Sequence, residues 1–232
     1  MSKYYIGIYS KDKPFENDVV QTTLQVIFDR HPHFFPATFE TGPDVFSHIK
    51  LPSDFSYSLI PKLFWVENGI SVRIPISGND GTELAILDDR DSTLIPSSVL
   101  LTWQSKELLP DVSALEHLFA GLIEALRPTA AIVTEEAMGL SDDIYNRSFL
   151  IDNSVVPEAL SWMTWFGPKH MKTIGETALE GVKNLISLRP CASGYILVLM
   201  QEPYEDANPE HRRFREEIEE KIGLTAMYKN LE

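Results

Sequence analysis

The sequence is poor in cysteine and in basic residues. One cysteine, Cys191, among 232 residues excludes a disulfide framework and any metal site built from several thiolates of one chain. Twenty lysines and arginines stand against 34 aspartates and glutamates, which gives a formal charge of −14. Nucleic acid and anionic lipid both attract clustered lysine and arginine. We therefore expect neither a nucleic acid nor a membrane as the direct partner.

Long hydrophobic runs are also missing. The longest run, residues 195–200, is far shorter than the roughly 18 residues that a membrane-spanning helix needs. Residues 1–10 carry a single lysine and an alternating pattern, which is not typical of a targeting segment. We therefore predict a cytoplasmic location.

The sequence contains none of the common catalytic motifs. It has no glycine-rich phosphate loop ending in Lys-Ser/Thr, no Gly-x-Gly-x-x-Gly, no Gly-x-Ser-x-Gly and no His-Glu-x-x-His. We therefore predict a protein that is not an enzyme and that needs no cofactor. A hydrolase of unrecognised type that uses an acidic doublet is kept as an alternative.

Two parts of the sequence could still form a metal site or a catalytic site. His31-Pro32-His33 offers two imidazoles, but the proline holds the chain extended and no third ligand stands at a suitable spacing nearby. A surface turn that ends a helix is therefore favoured over a metal site. Cys191 could pair with a distant histidine, but it flanks an apolar strand, where a buried and unreactive thiol is the commoner outcome.

The first half of the chain has the pattern of a strand, a helix and an antiparallel sheet. The composition, 44% hydrophobic and 10% aromatic, is sufficient for a packed core. Residues 3–9 predict a strand, and residues 17–31 carry apolar side chains at helical spacing. Short apolar runs follow at 57–66, 70–76, 83–87 and 98–103, with tight-turn signals at Asn68-Gly69 and at residues 78–81.

The second half alternates between helices and strands. Asp111 can cap a helix that ends at Arg127-Pro128. Residues 130–134 predict a buried strand, 159–166 an aromatic strand, 168–174 a helical turn and 195–200 a central strand. A closing helix is predicted over 208–222, between Asn208 and Gly223, whereas residues 138–153 fit a loop or a short helix.

These elements predict an α+β fold of mainly antiparallel sheets flanked by helices. Because no repeat or linker is visible, we predict a single domain over residues 1–232. An arrangement of two closely packed halves that divide near residues 105–130 is also compatible with the pattern.

Acidic residues cluster in pairs along the chain. Such pairs usually form a solvated surface, but they could also serve as general acids, cation ligands or a docking surface. An excess of 14 negative charges produces a long-range field that attracts a basic partner. The candidate contact residues for such a partner are Asp88, Asp89, Asp91, Glu135, Glu136, Asp142, Asp143, Glu205 and Asp206.

The C-terminal part combines several unusual segments. Residues 160–168, LSWMTWFGP, place three large aromatic side chains before a Gly-Pro break. Residues 194–204, GYILVLMQEPY, lead to Asn208-Pro209-Glu210-His211, and the chain opens with Tyr4-Tyr5-Ile6-Gly7. On these segments the sequence resembles the immunity protein 52 family of bacterial polymorphic toxin systems, specifically over residues 159–223.

This resemblance implies a non-enzymatic antidote in the cytoplasm of the producing cell. Members of such a family bind a cognate toxin, typically a nuclease of the restriction-endonuclease type that is delivered between competing bacteria. The resemblance assigns no toxin-contact residue. The negative charge fits the same function, because a nuclease presents lysine and arginine to phosphates and an acidic inhibitor can cover that cleft. An adaptor or scaffold protein is a further alternative, and the oligomeric state is left open.

Overall fold

The computed structural model describes residues 3–10, 19–30, 38–41, 49–50, 69–75, 82–89, 97–135, 156–157, 159–224 and 227. The predictions for residues 57–66, 78–81 and 138–153 and for His31-Pro32-His33 lie outside this part of the chain, as does Asn68. Within it the α+β class is confirmed, with runs of antiparallel strands separated by helices.

The described residues form ten strands and five α-helices. The strands are β1 (Tyr4–Ser10), β2 (Thr38–Thr41), β3 (Ile49–Lys50), β4 (Gly69–Pro75), β5 (Thr82–Asp89), β6 (Ser97–Trp103), β7 (Ala130–Glu135), β8 (Met163–Phe166), β9 (Ser187–Cys191) and β10 (Gly194–Val198). The helices are α1 (Val19–Arg30), α2 (Val112–Leu126), α3 (Pro168–Ile174), α4 (Glu176–Glu180) and α5 (Pro209–Ile222). A short 3-10 turn, Lys106–Leu108, precedes α2.

The strands form one sheet in the order β3-β2-β4-β5-β6-β1-β7-β8-β10-β9. Each of the observed pairings is antiparallel, as predicted for the middle third of the chain. β1 lies between β6 and β7, so it joins the strands that precede α2 to those that follow it. The proposed division near residues 105–130 falls on this helix, and the domain count stays a prediction.

The two longest helices with described caps begin and end where the sequence predicts. Asp111 accepts a hydrogen bond from the backbone N–H of Ala114 (2.9 Å) at the start of α2, and Arg127 ends that helix with a φ of 48°. Asn208 accepts from the N–H of Glu210 (3.0 Å) at the start of α5. Gly223 ends α5 with a φ of 80°, a conformation that favours glycine.

The aromatic strand is shorter than predicted, because β8 begins at Met163 and not at residue 159. The N–H of Leu160 donates to the side chain of Glu219 (2.7 Å), and the N–H of Ser161 donates to Oγ1 of Thr164 (3.2 Å). These amides are therefore satisfied by side chains and not by a neighbouring strand. All four residues of β8 are buried, so both faces of the strand are covered.

The hairpin of β9 and β10 differs from the prediction in two ways. β10 ends at Val198 and lies between β8 and β9, so it is next to the edge of the sheet and not at its centre. β9 was missed because its sequence, SLRPC, shows no clear alternation and contains a proline. Gly194 starts β10 so close to the carbonyl oxygen of Phe166 that a Cβ atom would collide with it.

The main core lies between the sheet and the helices. It contains Leu115 and Phe119 of α2 and Ile218 and Ile222 of α5, so both helices direct an apolar face to the core. Cys191 is buried in this core, and burial raises the pKa of its thiol to about 11, as expected for an unreactive cysteine. In the described segments, no helix combines the length and the apolarity that crossing a bilayer requires.

Candidate functional site

An open groove of about 820 Å³ lies at the end of β10. One side is formed by residues 184–187, which lead into β9, and the other by the segment 198–205 and the first turns of α5. Lys106, from the 3-10 turn before α2, also lines it. Three parts of the sequence therefore meet at this surface.

Part of the groove lining is apolar. Leu185, which lines the groove, is 43% exposed. In the described part of the chain it is the large hydrophobic residue that is exposed to solvent. Met200 and Phe214 line the same groove and are half-buried against the core. Exposed apolar side chains in a concave surface are suited to anchor a partner.

Hydrogen bonds hold the segment that carries the acidic side of the groove in place. The indole N–H of Trp162 donates to the carbonyl oxygen of Met200 (3.0 Å). The hydroxyl of Tyr204, itself fully buried, donates to Oδ1 of Asp206 (3.1 Å), and the N–H of Asp206 donates to Oε2 of Glu135 (2.7 Å). We call residues 200–206 the acidic loop.

Helix α5 holds the same loop through Arg215. Its Nη1 lies 3.2 Å from Oδ1 of Asp206, and its guanidinium carbon lies 5.6 Å from the centre of the Tyr204 ring. Its Nε lies 3.4 Å from Oε1 of Glu219. One arginine thus links the acidic loop to a buried carboxylate of the helix.

Glu219 is the buried carboxylate of this network. Burial raises its pKa to about 7, although the hydrogen bond from Leu160 and the charge of Arg215 both act in the opposite direction. Its oxygen satisfies the amide of Leu160, so the side chain supports the start of the aromatic segment and not the groove itself.

Charged side chains lie along the rim of the groove. The N–H of Glu205 donates to Nδ1 of His211 (3.0 Å), so a neutral His211 carries its proton on Nε2. That Nε2 lies 3.5 Å from Oε1 of Glu202, whose side chain is 72% exposed. Nζ of Lys106 lies 2.6 Å from Oε1 of Glu205, and this hydrogen bond raises the pKa of Lys106.

The field of the groove is negative. Glu202, Glu205 and Glu210 line it together with a single lysine, Lys106. The pKa of the Tyr4 hydroxyl, beneath this region, is raised far above its ordinary value, first by burial and then by the charges of glutamates that include Glu135 and Glu205. A positively charged partner is therefore favoured at this surface.

Of the nine candidate contact residues, the structure brings three together. Glu135, Glu205 and Asp206 are joined through the acidic loop. Glu135 is only 2% exposed and Asp206 is bound by Tyr204 and Arg215, so both support the loop. The toxin-contact role of all nine residues stays a prediction.

The other six candidates lie elsewhere or outside the described residues. Asp88 and Asp89 end β5, which is separated from β7 by β6 and β1. Four lie outside the described part of the chain: Asp91, Glu136, Asp142 and Asp143.

Sequence reasoning missed several residues of this site. Leu185 and Lys106 carried no recognisable signal, since each stands alone in a segment without periodicity. The spacing of Arg215 and Glu219, four residues apart on a helix, could have indicated an ion pair. Among the described side chains, no group of three histidine, cysteine, aspartate or glutamate residues is arranged to hold a metal ion.

Comparison with known proteins shows the fold but not the family. No protein-family model matches the sequence, and no curated protein matches it. The chain is similar to a solved structure described as Pseudomonas aeruginosa T6SS protein PA0821, with a TM-score of 0.67 and 12% sequence identity. The match covers 97% of this chain and 73% of that one. At this identity the likeness shows only that the chain shares the fold of that T6SS protein. The resemblance to immunity protein 52 is not supported by a family model.

Proposed function

We propose that this chain is an immunity protein that binds and neutralises a cognate bacterial toxin without catalysing a reaction. The observation that carries the proposal is the groove beside α5, which combines the exposed Leu185 and the half-buried Phe214 with the carboxylates of Glu202 and Glu205. The fold likeness to a T6SS protein is compatible with a function in competition between bacteria. The resemblance of the C-terminal segments to immunity protein 52 favours the same function, with the cytoplasm as its location.

The charge of the groove is suited to a nuclease toxin of the restriction-endonuclease type. Such an enzyme binds phosphates with lysine and arginine, so its active-site face is basic. Glu202 and Glu205 would attract that face and accelerate the encounter, since charged rims act mainly on association rates. Leu185 and Phe214 would supply the desolvated contacts that slow dissociation.

The hydrogen bonds under the acidic loop also favour a binding function. Trp162, Tyr204 and Asp206 fix the backbone of this loop before any partner arrives. A surface that is already ordered loses little conformational entropy on binding, so more of the contact energy contributes to affinity.

The proposal is tested by titrating the purified protein against a catalytically inactivated form of the toxin encoded beside its gene. We expect Leu185→Asp to weaken binding by about 10-fold or more, because it replaces the exposed apolar side chain of the groove with a charge. We expect Glu202→Gln to slow association and to reduce its dependence on salt.

Glu217→Gln is the matched control. Glu217 is an exposed glutamate on α5 that pairs with Lys221 outside the groove. Glu217→Gln removes one negative charge, as Glu202→Gln does. We expect it to leave the affinity within about twofold of the unmodified protein. Equal binding by Leu185→Asp, Glu202→Gln and the control would place the toxin on another surface, and no complex at low salt would overturn the proposed function.

A further inference from the structure

We propose that the groove receives a segment of the toxin that carries a lysine or arginine beside an apolar side chain, and that Lys106 occupies the cation position until the toxin docks. This inference rests on the proposed function and names the chemistry of the contact. On docking, the cation of the toxin replaces Lys106 at the carboxylate of Glu205.

The cation position is defined by the ion pair between Lys106 and Glu205. The two charged groups are 2.6 Å apart, and both residues line the groove. The lysine side chain is 53% exposed and that of the glutamate 33%. An exposed pair of this kind contributes little to stability, so an incoming cation can displace it at small cost.

The two partners of this pair are held very differently. Glu205 lies in the acidic loop, with its own N–H bound to His211 and the next N–H bound to the buried Glu135. Lys106 begins a three-residue 3-10 turn in which no residue is buried, and its charge stands at the end of a flexible four-carbon chain. The backbone that carries Glu205 is therefore held in place, and the lysine is the partner that leaves.

The apolar requirement follows from the other side of the groove. Leu185 is exposed on the side formed by residues 184–187, which carries no charged side chain, and the half-buried Phe214 of α5 also lines the groove. A purely cationic segment would leave these side chains in contact with water. A segment that carries both a cation and an apolar side chain satisfies both parts of the groove.

The exchange predicts that Lys106→Met increases the affinity for the toxin. The substitution keeps an apolar chain of similar length but frees the carboxylate of Glu205, so we expect the toxin to bind about threefold more tightly. Glu205→Gln is expected to weaken binding by about 10-fold. In the Glu205→Gln background, the gain from Lys106→Met should disappear, because the two residues act through one contact.

The matched control is Lys221→Met. Lys221 and Glu217 form an exposed pair of the same 2.6 Å length outside the groove, so this variant changes the net charge by the same amount. We expect it to change the affinity by less than about 1.5-fold. Thermal unfolding of each variant verifies that the fold is retained.

The affinities are measured by titration with the inactivated toxin encoded beside the gene. A gain for Lys106→Met that exceeds the gain for Lys221→Met and depends on Glu205 supports the exchange. If the unmodified protein binds the toxin but Lys106→Met binds equally or more weakly, the exchange is wrong and the proposed function stands. If the unmodified protein binds no toxin, the proposed function itself fails.

Discussion

The backbone N–H of Asp206 donates to Oε2 of Glu135 across 2.7 Å and so connects residues that are 71 positions apart in the chain. Glu135 ends β7, near the middle of the sheet, and Asp206 ends the acidic loop. The charged acceptor is buried, so the hydrogen bond is stronger than one at the surface. The position of the acidic loop thus depends on a buried carboxylate that does not line the groove.

We predict that Glu135→Ala lowers the free energy of unfolding by about 2 kcal/mol, because the N–H of Asp206 loses its charged acceptor. The measurement is urea unfolding followed by circular dichroism. Glu135→Gln is the control, since its amide oxygen can still accept the hydrogen bond, and it should cost less. An Ala variant as stable as the unmodified protein would show that this contact contributes nothing to the fold.

We predict that Glu219 makes the protein less stable as the pH rises from about 4.5 to 7. Burial holds the pKa of this carboxyl at about 7 in the folded state, above its ordinary value of 4.5, so folding favours the protonated form. The protonated carboxyl contributes fully to the free energy of unfolding below pH 4.5. This contribution is lost as the pH rises through 7. For a shift of this size the contribution is on the order of 3 kcal/mol.

The test compares Glu219→Gln with the unmodified protein by urea unfolding at pH 5 and pH 8. Glutamine keeps an acceptor for the N–H of Leu160 but carries no buried charge, so the loss of stability between the two pH values should be smaller in the variant. Glu217→Gln, at an exposed position of the same helix whose charge does not contribute to the pKa shift of Glu219, serves as the control. Identical pH dependence in the Glu219→Gln and unmodified proteins would contradict the prediction.

We predict that Ser193→Gly stabilises the protein by about 1 kcal/mol, because serine is disfavoured in the left-handed conformation. Ala192 and Ser193 form the two-residue connection between β9 and β10, with φ values of 47° and 63°. Thermal unfolding measures the gain. Ser113→Gly, at an exposed position of α2, is the control and should destabilise the protein by about 0.5 to 1 kcal/mol. A loss of stability for Ser193→Gly would mean that the turn contributes contacts that glycine cannot make.

The helices and the long strands could be predicted from the sequence because local rules determine them. Asp111 and Asn208 satisfy the first amides of α2 and α5, and Arg127-Pro128 and Gly223 stop them. The boundary of β8 could not be predicted, because the amide of Leu160 is satisfied by Glu219, 59 residues away. Such a contact exists only once the helix has packed against the sheet.

The site was predicted only in part for the same reason. The pair Glu205-Asp206 is visible as an acidic doublet, and Glu135 is visible as another. Their neighbouring positions in space come from the order of the strands, which puts the end of β7 beside the segment that follows β10. Lys106 and Leu185 reach the groove from segments with no pattern of their own, so only the structure reveals them.

We propose that this protein protects a cell by binding a toxin at the groove beside α5. The most direct measurement is the survival of bacteria that produce the active toxin encoded beside the gene, together with this protein or its variants. We predict that the unmodified protein and Glu217→Gln restore growth, whereas the double variant Leu185→Asp/Glu202→Lys, produced at the same level, does not. Growth that is unaffected by the presence of the unmodified protein, or full protection by the double variant, would contradict the claim.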